Sequence, residues 1–287
     1  MHSLKTVVNI EDYKSKIKTT IQGSLPVKID NTAPKTTNPL EFSLFKKIKN
    51  FKKHSLDDLN GARLMNRVDT KFVINKNHLN QFLDVLEKKY TVLSINEREL
   101  FEYRNRYFDT EDRAFYNSHH NGKLNRYKVR LRHYVDSQLK FLEVKFKNNK
   151  KRTIKSRINL ANADVFSIKE FIKNKLGDEN IDLSTSQISG YTRIAFANIE
   201  ASERITVDFN IWYQSADSER KIELQDVCII EVKQYKKNIR TSFFSLAKKL
   251  GYSSASFSKY CIGCALLYSD TIKTNRFKKT IKKYIQN

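Results

Sequence analysis

The residues best placed to do chemistry lie in short runs where charged and apolar side chains alternate. In Arg126-Tyr127-Lys128-Val129-Arg130-Leu131-Arg132, a period of two puts Lys128, Arg130 and Arg132 on one face and Val129 and Leu131 on the other. The same alternation recurs in Glu143-Val144-Lys145-Phe146-Lys147, in Arg67-x-Asp69-x-Lys71 and in Ile229-Ile230-Glu231-Val232-Lys233. One such run is an ordinary surface strand, so the signal lies in the repetition. Side by side, these strands would gather their cations on one surface, which repels itself unless water and a polyanion fill it. Lys155, Arg157, Arg193 and Lys259 extend the set.

The chemistry that suits such a surface is phosphate binding and transfer. Arginines make bidentate contacts to phosphate oxygens, and lysines supply mobile point charges. Phosphoryl transfer spreads charge over equatorial oxygens, so catalysis is mostly positioning and electrostatic stabilisation. A few carboxylates among many cations cost energy unless they hold a divalent metal that bridges phosphates. Glu231 is the first candidate for that ligand, with Glu143 and Asp208 behind it.

Composition agrees without deciding. The chain has 54 Lys plus Arg against 31 Asp plus Glu, a formal charge of +23, which draws it to nucleic acid, anionic lipid or polyphosphorylated molecules. Only seven glycines are present, with no Gly-rich phosphate loop, no Gly-x-Ser-x-Gly elbow and no His-Glu-x-x-His pair. Cys228, Cys261 and Cys264 suit a reducing compartment, and Cys261-Ile-Gly-Cys264 reads as buried thiols more than as half a zinc site. With no signal-peptide core and no bilayer-length apolar stretch, the expected location is cytoplasmic. The basic termini leave a peripheral membrane or protein partner open.

The elements that must position these residues follow from periodicity. Residues 1–50 read as a polar, partly disordered extension that ends in a basic helical segment, and 270–287 as a basic tail. Between them, 51–269 reads as one domain. A first strand spans 67–74 and a helix 77–90, followed by strands over 103–108, 126–134, 139–147 and 153–160, with turns at Asn121-Gly122, Asp136-Ser137 and Asn148-Asn149. His119-His120 falls in an expected loop, and Asp109-Thr110 in a turn. A helix over 164–176 stops at Gly177; strands resume over 194–197, 204–212 and 227–234; a helix over 241–250 precedes a last one from Ser258 into the tail. The predicted class is α+β, an eight-stranded antiparallel barrel with helices packed outside.

Taken in order, Arg67-Val-Asp69-Thr-Lys71-Phe, Tyr107-Phe108-Asp109-Thr110, Lys128-Val-Arg130-Leu-Arg132-x-Tyr134, Phe141-Leu-Glu143-Val-Lys145, Lys155-Ser-Arg157, Tyr191-Thr-Arg193, Ile230-Glu231-Val-Lys233 and Ser258-Lys259-Tyr260 resemble the polyphosphate polymerase domain of the vacuolar transporter chaperone (VTC) complex. That domain belongs to the triphosphate tunnel metalloenzyme (CYTH-like) superfamily. The resemblance implies a basic tunnel that transfers the γ-phosphate of ATP to a growing polyphosphate chain with Mn2+ or Mg2+. It implies Lys71, Arg130, Arg132, Lys145 and Arg193 as catalytic residues. By position it implies that these five, with Arg157 and Lys259, bind phosphates and that Glu231 holds the metal; Arg67, Lys128, Lys155, Tyr191, Lys233 and Ser258 complete the expected phosphate-binding set. Arg67-x-Asp69-x-Lys71 stands where the superfamily more widely has Glu-x-Glu-x-Lys, which argues against its cyclase and thiamine-triphosphatase branch. Two rivals stay open: hydrolysis of the same triphosphates, and a non-enzymatic module that binds nucleic acid or polyphosphate.

Overall fold

The computed structural model describes residues 39–59, 67–150, 152–178 and 180–285, so most of the expected extension, 1–38, lies outside the described residues. In chain order the helices are α1 (Pro39–Asn50), α2 (Leu79–Glu87), α3 (Ala114–His120), α4 (Val165–Leu176), α5 (Ser242–Lys249), α6 (Lys259–Leu267) and α7 (Asn275–Tyr284). The strands are β1 (Lys53–His54), β2 (Val68–Asn75), β3 (Thr91–Leu93), β4 (Phe101–Asp109), β5 (Arg126–Tyr134), β6 (Leu139–Lys147), β7 (Thr153–Asn159), β8 (Ser184–Asn198), β9 (Glu203–Ser215), β10 (Lys221–Leu224) and β11 (Val227–Gln234). The protein is α+β, with a large antiparallel sheet as its centre.

The chain forms two compact units. Of the described residues, the larger takes in 39–59, 67–104, 134–137 and 187–285, and the smaller 105–133, 138–150, 152–178 and 180–186. Hydrogen-bonded neighbours follow β2-β11-β9-β8 in the larger unit and β5-β6-β7 in the smaller, with β4, which belongs to both, between β8 and β5 in that order. Among the described residues β2 and β7 are the ends of the order, so the ring expected of a closed barrel is not completed by backbone hydrogen bonds.

In the larger unit the apolar face carries Phe72, Ile74, Ile194, Phe196, Ile205, Val207, Ile230 and Val232. Three helices cover it. Leu79, Phe82, Leu83 and Leu86 from α2 and Phe243 and Ala247 from α5 fall on one side of each helix at helical spacing. From α1, Leu44 and Ile48 enter the same core, each worth about 1.5–3 kcal/mol when fully buried. Buried Glu99 anchors this basic segment through Lys49 (2.9 Å) and Lys53 (3.0 Å). Residues 39–50, expected as part of the extension, are therefore a docked helix, because their apolar stripe finds a sheet face that the sequence alone could not assign to them.

In the smaller unit Val129, Leu131, Leu142 and Val144 pack beneath α4 through Ile168 and Leu176. Asp164 caps α4 by accepting from Ser167 N at 2.7 Å, and Gly177 ends it at φ 70°. The segment around His119-His120, expected as a loop, is helix α3. Its first turn is held by the buried carboxylate of Asp109, which accepts from Phe115 N at 2.8 Å and Tyr116 N at 2.9 Å.

The expected last helix is two helices, α6 and α7, separated by residues 268–274. All of Tyr260, Cys261, Ile262, Gly263, Cys264, Ala265 and Leu267 are buried, as befits a helix apolar all round. A Cβ at Gly263 would collide with Gln187 and Tyr213, so the Cys-Ile-Gly-Cys run serves close approach of α6 to the sheet. Further along, α7 buries Phe277 and Ile281, so part of the expected tail is packed.

Candidate active site

Each unit carries one charged cluster on the sheet face opposite its apolar core. In the larger unit, antiparallel register sets Lys71 of β2 and Thr206 of β9 on either side of Glu231 of β11. The Glu231 carboxylate takes Lys71 Nζ at 2.5 Å on one oxygen and Lys233 Nζ at 2.7 Å on the other. Lys233 also donates to Thr206 Oγ1 at 3.2 Å. On the next strands Arg193 of β8 lies opposite Asp208 of β9 and grips it with Nε at 2.6 Å and Nη2 at 2.8 Å. Lys259, at the start of α6, pairs with the second Asp208 oxygen.

Aromatic rings pack against these cations. Tyr103 stacks on Tyr191 with ring centres 5.3 Å apart and meets Tyr134 at 5.0 Å. The Arg193 guanidinium lies 5.1 Å from the Tyr103 ring and 5.3 Å from Tyr191, while the Lys259 ammonium is 4.3 Å from Tyr191. Alternation places Val, Leu and Phe on the opposite face of the basic strands, and on the basic face of this unit the neighbours are tyrosines. A readable signal was present in Tyr103-Arg-Asn105-Arg-Tyr107, where one face of β4 is Tyr, Asn, Tyr.

The smaller unit's cluster is built on β5, β6 and β7. Register places Glu143 opposite Arg157 and Lys145 directly opposite Lys155. Arg130 grips Glu143 Oε2 with Nε at 2.8 Å and Nη2 at 2.6 Å, and Lys155 Nζ reaches Glu143 Oε1 at 2.5 Å. Arg130 donates to the Tyr107 hydroxyl at 3.3 Å, and Arg132 to Asn105 Oδ1 at 3.2 Å. Lys145 makes no hydrogen bond or ion pair among the described residues, and its charged neighbours are mostly cations.

The electrostatics follow from this crowding. Burial alone would push Glu143 up, but Arg130, Arg132 and Lys155 hold it well below the usual carboxylate range. Burial is likewise outweighed at Glu231 by Lys233 and Lys71, and at Asp208 by Arg193 and Lys259. Lys145 is driven well below the ordinary lysine range, first by Arg130, then by burial and Arg132, with Glu143 only partly opposing.

Other expected site residues stand nearer the surface or serve the backbone. Arg67 is exposed and pairs with Asp69 at 2.9 Å. Arg157 is exposed and lies 4.6 Å from the Phe141 ring, and Lys128 is half-buried on β5. Ser258 caps α6 by accepting from Cys261 N at 3.3 Å. As metal donors the three carboxylates differ. Asp208 takes an arginine on both oxygens and Glu143 takes two arginine donors on one, each with a lysine besides, and no three Asp, Glu, His or Cys side chains come together among the described residues. Glu231, ionised and held by two lysines with no arginine fork, is the carboxylate whose chemistry fits a hard cation that draws its remaining ligands from phosphate and water.

The VTC domain family matches residues 66–268, and the chain belongs to that family. In structure it is similar to a candidate adenylate cyclase from Vibrio parahaemolyticus, at 18% identity over 68% of this chain and 97% of that one, with a TM-score of 0.41. A Hippeastrum protein, a candidate adenylyl cyclase described as having a dominant triphosphatase activity, shares 13% identity over 69% and 95% of the two chains, with a TM-score of 0.46. A Pyrococcus horikoshii protein shares 13% over 68% and 95%, with a TM-score of 0.38. No curated protein matches the chain. No helix among the described residues is long and apolar enough to cross a membrane, which says nothing of membrane β-barrels.

Proposed function

We propose that the protein is a polyphosphate polymerase, transferring the γ-phosphate of ATP to the end of an inorganic polyphosphate chain. Family membership supports a polyphosphate-related reaction, and the cation clusters supply the binding chemistry. In both clusters every carboxylate is committed to at least two cations and held below its usual range. Such carboxylates are poor bases for water. A terminal phosphate oxygen needs no base, because it is already ionised.

In the transfer, a chain-terminal oxygen forms a bond to the γ-phosphorus, the bond to the β–γ bridging oxygen breaks, and ADP leaves with that electron pair. Arg130, Arg132, Lys145 and Lys155 in one unit and Lys71, Arg193, Lys233 and Lys259 in the other bind phosphate oxygens and stabilise the charge developing on them. Arg67, Lys128 and Arg157, nearer the surface, would guide the incoming polyanion. Tyr191 holds Arg193 and Lys259 in place. Glu231 would hold Mn2+ or Mg2+, which when bound neutralises phosphate charge.

Incubation of the purified protein with ATP and Mn2+, resolved by gel, should give chains longer than any primer supplied. Orthophosphate and ADP as the only products would replace this reading with the triphosphatase one. Glu231→Gln should lose turnover while polyphosphate binding is kept or tightened; normal turnover with an unchanged metal requirement would remove Glu231 from the site.

A further inference from the structure

A cavity in the larger unit, of about 570 Å³, lies at the ends of β9 and β11. It is bounded by the end of α2, the β8–β9 turn, and the segment from Gln234 to the start of α5. Gln234 and Glu203 are directly paired across β11 and β9, and both are buried. Gln234 follows Lys233 in the strand, so alternation turns it to the face opposite the Glu231 cluster. The cavity is thus on the helix side of the sheet.

Its walls are positive and braced. Lys89, Lys236 and Arg240 line it, all exposed and none in an ion pair among the described residues. The one carboxylate in the lining, Glu203, is already satisfied, one oxygen by the Tyr90 hydroxyl and the other by Gln234 Nε2. Gln234 in turn fixes the loop that carries the cations, donating to Asn238 O at 3.0 Å and accepting from Asn238 N at 3.1 Å. Asn238 Oδ1 then accepts from Arg240 N at 2.9 Å. Such bracing keeps loop order from being lost or gained at the moment of binding. On the same loop Tyr235 is 70% exposed, a large ring left in water beside three unpaired cations. The cavity has the size of sites that enclose whole organic ligands, roughly 300–1,000 Å³, and is far larger than a single phosphate ion needs.

We propose that this cavity binds a nucleoside phosphate, with the base stacked on Tyr235 and the phosphate held by Lys236, Arg240 and Lys89. An aromatic platform next to cations is the combination that recognises a base and its phosphate together. Bound there, the ligand touches the strand end that continues from Glu231 and Lys233, so occupancy can be felt at the cluster without blocking it.

The test is calorimetric titration of the full chain with AMP, orthophosphate and tripolyphosphate in parallel. AMP should bind the wild type more tightly than orthophosphate does. Lys236→Ala combined with Arg240→Ala should weaken AMP by about tenfold or more, since each charge-assisted contact is worth that order. Tyr235→Ala should weaken AMP and leave orthophosphate unchanged. Tripolyphosphate binding should be unaltered in both variants, which keeps this site distinct from the strand-face clusters and from the polymerase reading. AMP affinity that is undetectable in the wild type, equal to that of orthophosphate, or unchanged in the variants would overturn the proposal. Parallel loss of tripolyphosphate binding would assign the cavity to the substrate path instead and overturn it as a separate site.

Discussion

The two charged clusters hold the same number of principal cations and differ in how many carboxylates answer them. In the smaller unit Glu143 takes Arg130 and Lys155 and lies close to Arg132 and Lys145. In the larger unit Lys71, Lys233, Arg193 and Lys259 share two, Glu231 and Asp208, and each has a carboxylate oxygen within reach. Lys145 instead faces Lys155 across the ladder, and like charges directly opposite destabilise a sheet. The first cluster carries a surplus around Lys145, which makes no ion pair among the described residues, and an incoming anion would offset it. The second is nearly balanced, so it holds its cations at fixed positions before any substrate arrives.

Removing one cation from each cluster is the sharpest way to break this contrast. Arg193→Ala leaves Asp208 buried with Lys259 as its remaining cation, and loss of a partner from a buried pair costs about 3–5 kcal/mol. Lys145→Met removes repulsion and keeps an apolar stem, so the ligand-free protein should be as stable or more so. Denaturant unfolding without phosphate measures both. If the two variants move stability in the same direction, the distinction between surplus and balance is wrong.

Activity should separate the surplus cluster from mere packing. Arg132 is buried, donates to Asn105 and adds its charge to those that keep Glu143 ionised. Arg132→Ala should therefore raise the barrier by about 2–4 kcal/mol through lost stabilisation of developing phosphate charge. Initial rates with a far-UV circular dichroism control check this. Near-normal turnover in a folded Arg132→Ala protein would exclude that arginine from the reaction.

Much of this arrangement was legible because a strand face needs only a period of two. Lys128, Arg130 and Arg132 share a strand, as do Glu231 and Lys233, and no partner strand is needed to see which way they point. Which cation meets which carboxylate was not legible, since Lys71 opposite Glu231 and Arg193 opposite Asp208 are matters of register between separate strands. Tyr103 is harder to single out for a related reason: Arg104 and Arg106 dominate its run while Tyr103, Asn105 and Tyr107 occupy the other face. Helix α3 lacks the usual starting signal. Arg113 precedes it at φ 57° with no side-chain cap, and the carboxylate of Asp109 closes its first turn from the end of β4.

Proton linkage should also distinguish the clusters, with a smaller effect. Free Lys145 has its ammonium form disfavoured by Arg130 and by burial. A bound phosphate reverses the local field and raises the lysine toward its ordinary range. Binding therefore takes up protons, and affinity falls as pH rises through the lowered value of the free protein, by up to about 1.4 kcal/mol per proton and pH unit. The sign for folding is related: the ligand-free fold binds fewer protons here than the unfolded chain, so this residue's contribution to stability rises with pH up to the unfolded lysine value. Titration of tripolyphosphate in buffers of different ionisation enthalpy should report net proton uptake that Lys145→Met abolishes. Proton release, or uptake unchanged in the variant, would place the linkage elsewhere.

The smallest effect should come from cations that belong to neither cluster. Helix α7 buries Phe277 and Ile281 and leaves Lys278 and Lys279 exposed, so its basic face is solvated while its apolar face holds the helix in place. Exposed charges are screened over about 8–10 Å at ordinary ionic strength, and surface substitutions away from special contacts stay within about 0.5 kcal/mol. Lys278→Ala with Lys279→Ala should therefore keep the rate within about twofold and alter only its dependence on salt. Rates for this variant, measured beside Arg132→Ala over a salt series, decide whether the +23 acts through two organised faces or as a diffuse field. If the tail variant loses activity as severely as Arg132→Ala, the organised faces do not carry the reaction, and the contrast between surplus and balance loses its link to function.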